Sequence, residues 1–265
     1  MLDTLPADIE NALQVTIPLS FSQQRLWFLD RLEGPNTTYN TTIAWRLQGR
    51  FDRQILEAAL LDMIERHESL RTIFPASHDT PWQKIISPSN AKLTVTQLDV
   101  NEEHLSAAMA REASYCFDLS CDIPIRAYLF RLCEEKHALL LLMHHIASDG
   151  WSRAPLTRDL SLAYAARCNG LAPDWAPLPI QYADYSLWQR ELLGGRSDPK
   201  SLYSQQKKYW EKELAALPEQ LQLPFDRMRP TVTSHRGANI KLHISAGLQR
   251  NLLALAHGSG ASLFM

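Results

Sequence analysis

The stretch that most limits what this chain can become is "ALLLLMHHIASDGWS", residues 138 to 152. Six consecutive apolar residues, Ala138 to Met143, follow the polar "EEKH" and run straight into two adjacent histidines, then Asp149 and Gly150. A short continuous apolar run bounded by turn residues reads as a strand covered on both faces, because a strand with one wet face would alternate. His144 and His145 therefore stand where a core strand ends and a loop begins. That is where a rigid scaffold presents chemistry.

The chain is long enough to bury such a strand. At 265 residues and 45% hydrophobic content it can form one large α/β domain or two smaller ones. A formal net charge of −2, with no basic cluster interleaved with aromatics, leaves no electrostatic footprint for nucleic acid. The start, "MLDTLPADIENALQ", is acidic and interrupted by Pro6, unlike a signal or transit peptide. No apolar run approaches the roughly 18 residues of a membrane span. Cys116, Cys121, Cys133 and Cys168 form no CxxC pair, so free thiols in a reducing cytoplasm are the expectation.

Along the chain, Ser20 and Gln23 stand in capping-box spacing before a helix that Gly34-Pro35 ends. "TIAWRLQG" reads as a strand, and residues 53 to 66 repeat apolar positions at helical spacing. Short strands are expected at 70 to 74, 82 to 86 and 92 to 98, with a helix from 102 to 115. "IRAYLFRLC" and "ALLLLM" fit an antiparallel hairpin. A helix follows Ser152, with Pro155 in its first turn and a stop at Asn169-Gly170. The proline-rich segment 172–179 reads as a linker. Helices at about 180 to 193 and 201 to 216, a strand near 239 to 244 and a helix from Ala246 complete the pattern.

What could the doublet do? Neighbouring residues on a strand point to opposite faces, so His144 and His145 cannot easily reach one metal ion, and no metal site is expected. Ser148 and Ser152 are close, but no G-x-S-x-G elbow marks a nucleophile. Two satisfied core histidines near a turn are the bland alternative. A division of labour fits better: one ring faces a cleft, where a neutral imidazole can take a proton, and the other packs inward. Asp149 either partners the histidine or pairs with an arginine to hold the loop, and Arg66 and Arg71, which flank "HESL", are the candidates. Those arginines could also be solvated helix ends. Gly150 would allow positive φ before the next helix.

Four blocks in order, "LSFSQQRLWFLDRL" at 19 to 32, "RHESLRTIF" at 66 to 74, "MHHIASDGWS" at 143 to 152 and "YADYSLWQ" at 182 to 189, make the sequence resemble the condensation domains of nonribosomal peptide synthetases, within the chloramphenicol acetyltransferase-like superfamily. The third block matches the HHxxxDG motif. The resemblance implies an α/β fold: an acetyltransferase-like lobe with a mixed β-sheet flanked by helices, followed by a second lobe. Mapped here, that gives an N-terminal extension at 1–14, the first lobe at 15–171, the linker at 172–179 and the start of the C-terminal lobe at 180–265. The later motifs of the second lobe have no counterpart before "GASLFM", so the expectation is a truncated second lobe and little activity for the chain alone.

The implied reaction is amide formation between a carrier-bound donor thioester and the α-amine of a carrier-bound aminoacyl acceptor. His145 is the implied catalytic residue, His144, Asp149 and Gly150 shape the site, and Asp149 pairs with Arg66 or, failing that, Arg71. No cofactor is bound directly; phosphopantetheine arms arrive on donor and acceptor peptidyl carrier proteins, and the remaining domain and adjacent synthetase domains are partners. "DGWSR" differs from the "DGVSW" of epimerisation domains, and intact histidines exclude the heterocyclisation type, so the resemblance is to domains joining L-configured donors and acceptors. A non-catalytic carrier-docking lobe and a stand-alone acyltransferase are the alternative readings.

Overall fold

The computed structural model describes residues 16–265 apart from 219, 229, 232–236 and 239. The extension expected at 1–14 lies outside the described residues. The chain divides into two compact units, residues 1–217 and 218–265.

The first unit is built on one four-stranded sheet. Its strands are β2 (Asn40–Gln48), β6 (Val95–Asp99), β7 (Ile125–Cys133) and β8 (Lys136–His144), in the order β2-β8-β7-β6. β7 and β8 form the expected antiparallel hairpin, and β6 joins β7 in parallel, so the sheet is mixed. β8 carries the apolar run and is the central partner, paired with both β2 and β7.

Because side chains alternate along a strand, β8 feeds two cores. Leu139, Leu141 and Met143 pack with Leu56, Leu60 and Met63 of α2 (Arg53–Arg66) and Leu156, Leu160 and Ala163 of α4 (Arg153–Cys168). Ala138, Leu140 and Leu142 pack with Leu26 and Trp27 of α1 (Phe21–Glu33) and Leu105 and Ala108 of α3 (Glu102–Ala113). Burying each such leucine contributes roughly 1.5–3 kcal/mol, so a polar substitution within β8 would open the layer that its side chain faces.

Local chemistry sets the helix ends. Ser20 accepts from the Gln23 N–H at 3.1 Å while Gln23 Oε1 accepts from the Ser20 N–H at 3.0 Å, the expected capping box. Asp52 caps α2 by accepting from the Gln54 and Ile55 amides. α4 ends at Asn169, with Gly170 at φ 72°, where a side chain would be strained.

A smaller antiparallel assembly lies beside the sheet: β1 (Ile17–Pro18), β3 (Thr72–Ile73), β4 (Ala76–Ser77) and β5 (Thr80–Ile85), with β5 pairing all three others. A 3-10 turn at Glu68–Arg71 leads from α2 into β3, shortening the strand expected at 70 to 74. No regular element covers 172–179, yet its Ala176 carbonyl accepts from Arg66 Nη1 at 2.6 Å. α5 (Tyr182–Leu193) docks on α1, Arg190 donating to the Leu19 carbonyl and Gln189 accepting from the Phe21 N–H. α6 (Leu202–Glu213) follows. The first compact unit runs to residue 217.

The second unit contains α7 (Ala246–Gly258), capped by Ser245. The strand expected at 239 to 244 is corrected: Asn239 is outside the described residues, and 240–244 carry no strand assignment. Ile240 and Leu242 are each 87% exposed, since a β-prone sequence becomes a strand only when a ladder partner lies alongside, and this unit offers none among the described residues. No helix among the described residues is long and apolar enough to cross a membrane.

Candidate active site

At the end of β8 the two histidines part. His144 is 3% exposed and His145 is exposed. His144 continues the pleat into the α1/α3 core, its ring meeting Phe117 edge-on at 6.1 Å and Tyr39 at 6.3 Å. Its Nδ1 accepts the Ile146 N–H at 3.1 Å, which places the ring proton on Nε2. Burial first, and the neighbouring His145 second, push its pKa down to about 4. His144 is therefore a neutral, structural ring.

His145 is anchored by its backbone, N–H to the Tyr39 carbonyl at 2.8 Å, and by its ring, Nδ1 to the Ser148 carbonyl at 2.5 Å. A carbonyl only accepts, so Nδ1 must carry the proton and donate it. In the neutral ring the lone pair then lies on Nε2. Ser148 is itself held, buried, with its Oγ 3.3 Å from Thr41 Oγ1. The chain thus presents an exposed imidazole in a fixed tautomer, able to accept a proton or a hydrogen bond.

Asp149 does something other than expected. Its carboxylate accepts from the Ser152 N–H at 3.0 Å and Ser152 Oγ at 2.8 Å, while its own N–H donates to that Oγ. The pair closes the turn that launches α4. The Asp149–Arg66 pair is not made. Arg66 Nε donates instead to Asp159 Oδ2 at 3.0 Å, joined there by His67 Nε2 at 2.8 Å and, on the other oxygen, Arg158 Nε at 3.0 Å. Asp159 is 2% exposed, and a carboxylate in that position draws every cation in reach. Burial pushes the Asp159 carboxyl up, but the hydrogen bonds from His67, Arg158 and Arg66 outweigh it and hold the group below its ordinary range. Burial also pushes His67 down, against the pull of Asp159.

Arg71, the second candidate partner, is engaged elsewhere as well, donating to the Ile86 carbonyl at 2.6 Å and to Glu68 at 3.3 Å. Gly150 needs correction too. Its φ is not among the positive ones, and a Cβ there would meet nothing within 4 Å, so the turn does not demand glycine.

Asp159 was missed in the sequence, although a signal was present: Leu156, Asp159, Leu160 and Ala163 form one buried stripe of α4. Arg66 also stacks over Trp175 at 4.8 Å, and Gln181 bridges the Arg66 carbonyl and the Glu68 N–H. Tyr182 OH meets Ser20 Oγ at 3.0 Å. The fourth block is therefore joined to the first through Tyr182, and Gln181, which precedes it, to the second, while the second also binds the helix that follows the third.

Comparison with known proteins identifies the family. The family model described as "Condensation domain" matches residues 13–265. The chain is 50% identical over 249 residues to a dimodular nonribosomal peptide synthase of Bacillus subtilis, covering 94% of this chain and 10% of that protein. It is 48% identical to an isonitrile lipopeptide synthase of Mycobacterium tuberculosis, again covering 94% and 10%. Among solved structures, the X-domain in a complex with OxyB from teicoplanin biosynthesis superposes with a TM-score of 0.83 at 38% identity, covering 98% of this chain and 55% of that one. The starter condensation domain of rhizomide synthetase shares the fold, with a TM-score of 0.65 at 21% identity, covering 78% and 49%. The chain thus spans about a tenth of these curated relatives and about half of these solved chains.

Proposed function

We propose, given that the chain belongs to the condensation-domain family, that its site serves the joining of a donor acyl thioester to the α-amine of an acceptor, each delivered on the phosphopantetheine arm of a carrier protein. The observation that carries this reading is His145: exposed, and fixed by its Nδ1 donation to the Ser148 carbonyl so that Nε2 is the free base.

The chemical demand on that base can be sized. A free α-amine has a pKa of about 7.7–8.0, so roughly a tenth is already neutral at pH 7, a deficit of about 1.4 kcal/mol. Deprotonating the resting amine is a small task. When the amine nitrogen attacks the thioester carbonyl, the intermediate carries an ammonium nitrogen and an oxyanion. His145 Nε2 takes the ammonium proton; the carbonyl re-forms, the carbon–sulfur bond breaks, and the departing thiolate recovers the proton from the imidazolium. Amide and thiol are the products, and His145 returns neutral. Ser148 holds the ring through this cycle, because its carbonyl stabilises the Nδ1–H of both neutral and protonated forms. Asp149 supports the loop through Ser152. Such chemistry on carrier-borne substrates fits a cytoplasmic setting, with neighbouring synthetase domains as partners.

The test transplants residues 13–265 into the aligned segment of the Bacillus subtilis relative and supplies one donor-loaded and one acceptor-loaded carrier. Mass spectrometry should find the amide on the acceptor carrier. Product only with a free amine would favour a stand-alone acyltransferase, and carrier binding without product would favour a docking lobe.

A further inference from the structure

We infer that the pocket between the loop before β6 and the first residues of β7 is a binding site for a phosphoryl group. This site stands apart from His145 and does not depend on the amide-forming reading.

The pocket has a volume of about 360 Å3, and Asn90, Lys92, Thr94, Thr96, Arg126 and Tyr128 supply its polar lining. Arg126 is fixed in two directions. Its guanidinium lies 3.8 Å from the centre of the Tyr115 ring, and its Nε donates to Tyr128 OH at 3.1 Å. Among the described residues no carboxylate pairs with it, and its two terminal nitrogens have no hydrogen-bond partner. A guanidinium held by its stem, with its fork unused, is organised in advance for a tetrahedral oxyanion.

Tyr128 strengthens the case. It lines the pocket, and because its oxygen accepts from Arg126 at 3.1 Å, its own O–H proton is left to donate elsewhere. A bound oxyanion would take that donor. Lys92, Thr94 and Thr96 add further donors at the rim. The one acid in the lining, Asp122, is held through its Oδ2, which accepts from Tyr115 OH at 2.7 Å and from the Asp118 N–H at 3.0 Å. The lining therefore carries two cations against one anion and an excess of donors over acceptors. A carboxylate, with two oxygens, would leave part of that set unused, whereas a phosphoryl group has three oxygens to offer. Arg126 stands opposite Leu142 in the β7–β8 register, two residues before His144, and neither histidine lines the pocket.

The phosphoryl group could belong to free phosphate or to a phosphate ester such as the pantetheine arm. Calorimetric titration of the whole chain with inorganic phosphate, pantetheine 4′-phosphate, unphosphorylated pantetheine and acetate separates these. Saturable binding of either phosphate compound is expected, with acetate and pantetheine much weaker. Tighter binding of the ester identifies the arm as the source, and equal binding identifies free phosphate. Arg126→Gln should weaken binding by about tenfold or more, the scale of a lost charged hydrogen bond. Lys92→Gln, on an exposed side chain that cannot disturb folding, should weaken it by a smaller factor. Phosphate binding no tighter than acetate, or unchanged in both variants, would overturn the proposal.

Discussion

Arg66 Nε sits 3.0 Å from Asp159 Oδ2, and Asp149, the acid expected to hold that arginine, bonds Ser152 instead. The two acids consequently have different jobs, one inside the fold and one on the site loop, and their loss should be felt differently.

Asp159→Ala should destabilise the chain by roughly 3 to 5 kcal/mol, because removing a buried carboxylate leaves Arg66 without its counter-charge and His67 without its hydrogen-bond acceptor. Asp149→Ala removes only an exposed helix-start interaction and should cost about 1 kcal/mol. Urea denaturation of both variants checks the ranking. Equal losses would mean that the Arg66–Asp159 pair is not the stabilising one.

His144 makes stability depend on pH. The folded state holds it neutral, with a pKa of about 4 against an ordinary 6.5, so the unfolded chain takes up the proton first. Its contribution is full above pH 6.5, is lost as pH falls toward about 4, and changes no further below that. The loss amounts to about 3 kcal/mol. Unfolding free energies from pH 7.5 to 4, compared with those of His144→Gln, should diverge across that window. Parallel curves would contradict the buried neutral ring.

The exposed Nε2 of His145 should react with diethyl pyrocarbonate well before His144, whose ring is enclosed by Phe117 and Tyr39. Peptide mapping of the modified chain gives the order directly. Equal labelling would show that the two rings are not divided between core and solvent.

Gly150 has open space around its Cα and an ordinary φ, so Gly150→Ala should leave thermal stability within about 0.5 kcal/mol of the parent. If amide formation falls while the melting curve stays put, the bare backbone at Gly150 is there for a substrate. A large drop in stability would show that the fold itself needs the glycine.

What the sequence revealed followed from local rules. The Ser20–Gln23 box, the β7–β8 hairpin, the helical spacing of α2 and the stop at Asn169-Gly170 are each written within a few residues. The parting of His144 from His145 follows from strand alternation, a rule just as local. The partner of Arg66 is different in kind, since it depends on α4 crossing α2, and spacing along the chain cannot rank Asp149 against Asp159. The buried stripe of α4 held the clue, for an acid among Leu156, Leu160 and Ala163 must find a cation. The segment 240–244 failed for the converse reason: β propensity was present and a ladder partner was not.

The central claim is that His145 moves the proton in amide formation. Its most direct test is the single-turnover rate of His145→Ala in the transplanted domain, with both carriers loaded and the melting temperature of each protein recorded. A general base predicts a fall of roughly 10²- to 10⁴-fold with the melting temperature unchanged. A fall of less than tenfold would contradict the claim and leave His145 as a positioning group.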